Sequence, residues 1–179
     1  MDKSWDKSVM KDAGKLTVYN GISVGKWSTV FGRTLESFNK NSKLTIKLVP
    51  SKDKDAANIE ILLSSGSSSY TYDGTTYPVV FDATLAHGKT KTFDRGDGIE
   101  KAAVFLPSEP KENHVNVLRF IAVHELIHAC GLDEHNNDGV FITAPNIKNG
   151  QIWAAQGSKK MPPLFFAPKT VMRLQELWK

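Results

Sequence analysis

The segment His124-Glu125-Leu126-Ile127-His128-Ala129-Cys130-Gly131-Leu132-Asp133-Glu134-His135 gathers three imidazoles and three carboxylates into twelve residues. On a helix of 3.6 residues per turn, side chains four apart lie one above the other, so His124 and His128 can hold one metal ion together. Glu125 sits one position round from that pair. There a carboxylate is better placed to take a proton from a metal-activated water than to ligate the metal. Gly131 suits a left-handed helix end, and a chain that reverses there can swing a later side chain back towards the two histidines. His135 is the imidazole that follows. Two imidazoles with one further ligand suit a single catalytic Zn2+ and leave a fourth position for water, which is the equipment for hydrolysing an amide bond.

The element that must carry these residues is readable as a helix. Pro110 and Asn113 or Asn116 offer a start, Val117, Phe120, Ile121 and Leu126 form an apolar stripe at helical spacing, and Gly131 offers the stop. Upstream, Lys15–Asn20 reads as a strand. Lys26–Asn39 reads as a long amphipathic helix with Trp27, Val30, Phe31, Thr34 and Phe38 on one face, and Leu44–Val49 and Asn58–Leu63 read as further strands. Ser64–Ser69 has the composition of a loop, and Tyr70–Tyr77 has hairpin chemistry around Asp73-Gly74, with its aromatics expected on an exposed surface. Pro168–Trp178 reads as a short helix with Pro in its first turn and Val171, Leu174, Leu177 and Trp178 apolar.

The run Asn116–Val123 followed by the histidine motif resembles the active-site helix of the metzincin zinc peptidases, with matrixin-type members nearest in pattern. Other segments agree in order. Thr84-Leu85-Ala86-His87-Gly88 is similar to the edge-strand segment against which matrixin substrates lie, and Lys101–Leu106 to the strand before the active-site helix. Lys160-Met161-Pro162 is similar to the turn whose methionine lies beneath the metal. The resemblance covers about residues 15–178, although only the metal motif is specific. It implies an α+β, zincin-like fold: a twisted, mixed, mainly parallel sheet of about five strands packed on two long helices, plus a C-terminal helix. Residues 1–14 are then a tail and 15–179 one catalytic domain, divided near residue 131 into two subdomains.

The resemblance also implies a zinc-dependent endopeptidase with Glu125 as general base, His124 and His128 as ligands, and Gly131 and Met161 in support. The third ligand departs from the matrixin pattern, which places a His where this chain has Glu134. Either His135 ligates through a turn one residue longer, or Glu134 does and His135 stands behind it; imidazole's affinity for zinc favours His135. Astacin-like and serralysin-like relatives use a tyrosine after the methionine turn, whereas all four tyrosines here precede the motif. His87 is expected to be a structural strand residue, His114 to be solvated, and Asp133 to cap the loop after Gly131. An added loop carrying Trp153 separates His135 from Met161, and Leu164-Phe165-Phe166 could line a specificity pocket or belong to the core. A non-catalytic zincin used for binding, and a zinc amidase acting on cell-wall peptide, are the other readings.

Composition bounds the rest. At 179 residues and 40% hydrophobic, the chain can bury a full core without covalent staples. Its one cysteine, Cys130, permits no intrachain disulfide and is expected to pack as a small apolar residue. The net charge of +4 is modest and the lysines are scattered, which speaks for a solvated surface and against a nucleic-acid partner. No signal-peptide run or membrane span is visible. The expectation is a monomer acting on protein or peptide substrates, either cytoplasmic or delivered by a dedicated secretion system or virion.

Overall fold

The computed structural model describes residues 1–10, 14–23, 25–44, 46–84, 88–110, 114–134, 142–143 and 164–179. In chain order the elements are β1 (Lys15–Asn20), α1 (Gly25–Ser42), β2 (Lys47–Ser51), β3 (Ile59–Ser64), β4 (Ser67–Tyr72), β5 (Thr75–Val80), β6 (Lys89–Arg95), β7 (Gly98–Pro107), α2 (Val115–Ala129), β8 (Ile142–Thr143), β9 (Phe165–Phe166) and α3 (Pro168–Leu177). The main sheet has five strands in the order β2-β1-β3-β7-β6. Its pairings are parallel except for β6, which runs antiparallel to β7 at one edge. This is an α+β architecture with a mixed, mainly parallel sheet and three helices.

Successive strand residues face opposite sides of a sheet, so each strand feeds two cores. Leu16, Val18, Ile59, Ile61, Ala102, Val104 and Leu106 join the buried faces of α1 and α2 in the main core. The apolar face of α1 follows its periodicity at Trp27, Val30, Thr34 and Phe38, all buried; Leu35 joins them, and Phe31, expected on that face, is only partly buried. That helix continues to Ser42 and ends at Lys43 in the left-handed region, φ 54°. Leu44 therefore lies in the connection, and β2 begins at Lys47. In α2 every residue from Phe120 to Ala129 is buried except His124 and His128, so the predicted stripe is only part of its apolar surface. A helix apolar nearly all round belongs inside a protein, between other elements.

Alternate residues on the other side of the sheet, Ala103, Phe105 and Phe93, build a second core with Val79. The β4–β5 hairpin supplies its cover, which corrects two expectations. Ser67–Ser69 are strand, so the loop shrinks to Ser65-Gly66. The hairpin aromatics are packed and not displayed: Tyr70, Tyr72 and Tyr77 have ring centroids 5.3, 4.7 and 5.1 Å from that of Phe93. The turn itself is as predicted, with Asp73 and Gly74 both at positive φ, 49° and 73°, the two-residue hairpin geometry that fits strand twist.

Two further expectations change. His114 is not simply solvated: it is the N-cap of α2, its Nδ1 accepting the Asn116 N–H at 3.2 Å. The antiparallel edge strand runs Lys89–Arg95, directly after the Thr84–Gly88 segment predicted for it. Thr84 is in a turn, and Leu85, Ala86 and His87 lie outside the described residues. At the C-terminal end, Leu164 and Phe166 are core residues, Phe166 meeting Phe38 edge-on at 5.5 Å, while Phe165 is exposed. Pro168 opens α3 at its first turn, as predicted. Among the described residues no helix is long and apolar enough to cross a membrane.

Candidate active site

The end of α2 decides where the histidines point, and its backbone groups can be accounted for one by one. A helix leaves its last four carbonyls without intrahelical donors. Gly131 adopts φ 110°, and its N–H returns to His128 O at 2.9 Å while the Leu132 N–H reaches Ile127 O at 3.5 Å. That pair of bonds is the Schellman arrangement, which a glycine in this position permits. The remaining two carbonyls accept from indoles: Trp5 Nε1 donates to Ala129 O at 2.9 Å and Trp178 Nε1 to Cys130 O at 3.1 Å.

Residues 2–6, expected to belong to a tail, thus lie against the domain. Trp5 is 2% exposed and bridges to Ile99 of β7, and the Lys3 N–H donates to Gly131 O at 2.9 Å. Arg173 of α3 holds the Asp2 carboxylate through Nε at 3.0 Å and Nη2 at 2.7 Å, and Asp2 in turn accepts the Asp133 N–H at 3.1 Å. Asp133 is largely exposed; its carboxylate pairs with the α-amino group of Met1. The turn after the second histidine is therefore clamped by both ends of the chain.

From Phe120 onward only His124 and His128 reach the surface of α2, with ring centroids 5.2 Å apart and planes at 70°. His128 Nδ1 lies 2.7 Å from Leu132 O. A carbonyl only accepts, so Nδ1 carries a proton, and in the neutral ring Nε2 carries the lone pair. Orienting a metal-binding imidazole through its second nitrogen in this way is the usual support for such a ligand.

Glu125 points the other way, into the gap between α2 and the edge strand β6. It is 2% exposed, yet both oxygens are satisfied: Gly88 N–H donates to Oε1 at 3.0 Å and the Thr90 hydroxyl to Oε2 at 2.7 Å. Burial pushes its carboxyl up to about 7, against the opposing pull of the Thr90 and Gly88 hydrogen bonds and the charge of Lys89. A carboxyl in that range can both take and return a proton near neutral pH. Gly88 is required by contact: a Cβ there would stand 2.3 Å from Phe105 O and 3.1 Å from Glu125 Cγ.

No known family model matches this chain, and no curated protein does. The site stands on its own geometry. His124, Glu125, His128 and Gly131 are brought together at one end of α2. Glu134 is described and exposed. His135, the favoured third ligand, lies outside the described residues, as do Met161, the loop with Trp153, and His87. Among the described residues no group of three or more His, Cys, Asp and Glu side chains stands close enough to hold a metal. Cys130 is buried, as expected of a small packed residue. Gly88 falls at the end of the segment that the sequence places along the cleft, whereas Thr90, Trp5 and Trp178 carry no signal for this site in the sequence, because each joins it only through pairing in space.

Proposed function

We propose that this chain is a zinc-dependent endopeptidase of metzincin-like fold, in which Glu125 transfers the protons of peptide hydrolysis. The observation that carries the reading is the division of labour on α2. His124 and His128 open side by side to the surface, and between them in sequence Glu125 turns inward to a buried seat against the sheet edge. A purely structural metal site is closed by a fourth ligand and has no use for such a carboxylate.

The residues present fit zinc. Both imidazoles come from one helix face at metal-sharing distance, and His128 is fixed by Leu132 O in the tautomer that offers Nε2. His124, His128 and a third ligand, His135 or Glu134, would hold the ion. Bound there, zinc supplies Lewis acidity, which makes water a far stronger acid and polarises a carbonyl. Glu125 takes the proton of the attacking water and delivers it to the leaving amine nitrogen. The order β2-β1-β3-β7-β6 leaves β6 at the sheet edge beside Glu125, where an extended peptide could lie.

The test is elemental analysis of protein purified without chelator, with zinc back-titrated into any apo fraction, followed by cleavage of a peptide library. About one zinc per chain, and cleavage that is lost in Glu125→Gln while zinc is kept, is the expected result. No zinc taken up, or undiminished cleavage by Glu125→Gln, overturns the reading.

A further inference from the structure

The chain has four arginines, and they divide into two kinds. Arg95 holds the Glu100 carboxylate and Arg173 that of Asp2. Arg33 of α1 and Arg119 of α2 have no carboxylate partner among the described residues. Both line one cavity of about 220 Å³, together with Thr29 and Val30 of α1 and Val115 and Asn116 of α2. Two like charges sharing so small a space repel each other unless an opposite charge lies between them. Arg119 Nε is also closed off from solvent and has no acceptor among the described residues. An arginine does not lose its proton in a protein, so neither the repulsion nor the unmet donor is relieved by titration. An anion in the cavity relieves both.

Charge and size select the anion. A phosphate monoester carries about −1.5 to −2 near pH 7, which balances two guanidinium groups, whereas a carboxylate balances one. The planar fork of an arginine also matches two oxygens of a phosphoryl group. Drug-sized ligands occupy about 300–1,000 Å³, so this cavity takes one phosphoryl group and leaves anything attached to it outside. Val115 and Asn116 stand in the first turn of α2, whose positive end adds to the attraction. We propose that Arg33 and Arg119 form a binding site for a phosphoryl group, as free phosphate or as a phosphate monoester, which ties α1 to the start of α2. The Arg119 side chain must turn to bring Nε–H to the anion, which makes that N–H the reporter of binding. The site lies at the other end of α2 from His124 and His128 and does not rest on the peptidase reading.

The test is NMR of the nitrogen-labelled full chain, following the arginine Nε–H signals as inorganic phosphate, O-phosphoserine, acetate or chloride is added at matched ionic strength. The Arg119 signal is the one missing from Arg119→Gln. The expected result is a saturable shift of that signal with phosphate, and a rise in Tm of about 3–6 °C at ten times Kd. Affinity should fall about tenfold or more in Arg33→Gln and in Arg119→Gln, and stay at the wild-type value in Arg95→Gln. Arg33 is exposed, so Arg33→Gln carries the test if Arg119→Gln does not fold. O-phosphoserine bound at least as tightly as phosphate supports a monoester site, and phosphate bound with O-phosphoserine excluded supports a site for the free ion. No saturable shift with either, or wild-type affinity in Arg33→Gln, overturns the proposal. Acetate bound as tightly as phosphate overturns the assignment to a phosphoryl group.

Discussion

Replacing Gly131 by alanine should destabilise the protein through two separable effects. The first is conformational: Gly131 has φ 110°, and a residue with a side chain held at positive φ costs about 1–2 kcal/mol. The second is a collision, since an added Cβ would stand 2.0 Å from Lys3 O. That carbonyl belongs to backbone and must move. Its movement disturbs the Lys3 N–H bond to Gly131 O and, two residues on, the Trp5 indole bond to Ala129 O, both 2.9 Å. At about 1 kcal/mol for each bond, the total loss is about 3–4 kcal/mol. For a domain of this size that corresponds to a fall in Tm of roughly 6–15 °C. Gly74→Ala is the matched control: Gly74 has φ 73°, and an added Cβ there would meet no described atom within 4 Å, so only the conformational cost applies. Urea unfolding followed by tryptophan fluorescence measures both variants against wild type. If Gly131→Ala is no less stable than Gly74→Ala, the N-terminal segment does not clamp the end of α2.

Other expectations follow from the same contacts. Glu125→Gln should keep zinc and lose turnover by about 10²–10⁴-fold, measured on a peptide that wild type cleaves. In metal-free protein, burial raises the Glu125 carboxyl from 4.5 to about 7. The folded state then keeps a proton that the unfolded chain releases, so this group's contribution is full below pH 4.5 and is lost as pH rises to about 7, by roughly 3 kcal/mol. Wild type minus Glu125→Gln, in unfolding free energy against pH, should fall across that window, and a flat difference contradicts the burial argument. Arg173→Ala should cost about 1–2 kcal/mol by removing the two-nitrogen grip on the partly buried Asp2, and a double-mutant cycle with Asp2→Asn should show coupling between them. Burial pushes the Cys130 thiol far up, so a thiol reagent at pH 8 should leave native protein untouched and find one thiol after denaturation.

How far the sequence can be read depends on whether each feature is local. The boundaries of β1, most of the apolar face of α1, the Asp73-Gly74 turn and the Pro168 start of α3 are set by neighbours in the chain, and all appear where the residues point. The same holds for the pairing of His124 with His128 and for positive φ at Gly131, since spacing on one helix and the need for a left-handed stop are properties of the segment itself. The hairpin aromatics differ from expectation for the opposite reason. The alternation Tyr70-Thr71-Tyr72 fits a half-exposed strand equally well whether its apolar side meets solvent or another sheet, and only Phe93 and Phe105, more than twenty residues on, decide between them.

The polar N-terminus misleads in the same way, because Trp5 is flanked by polar and charged residues and its partner Ala129 O is 124 residues away. Long-range partners also explain why the proposed general base is legible and its seat is not. A carboxylate one position from a metal-binding His marks a proton-transfer group by spacing alone. What makes Glu125 able to act in that role is burial with both oxygens held, and those donors, Gly88 and Thr90, come from a segment 35 or more residues earlier whose register with β7 no local pattern sets. The chemistry of this site is written in one helix, and its tuning is supplied by the edge of the sheet.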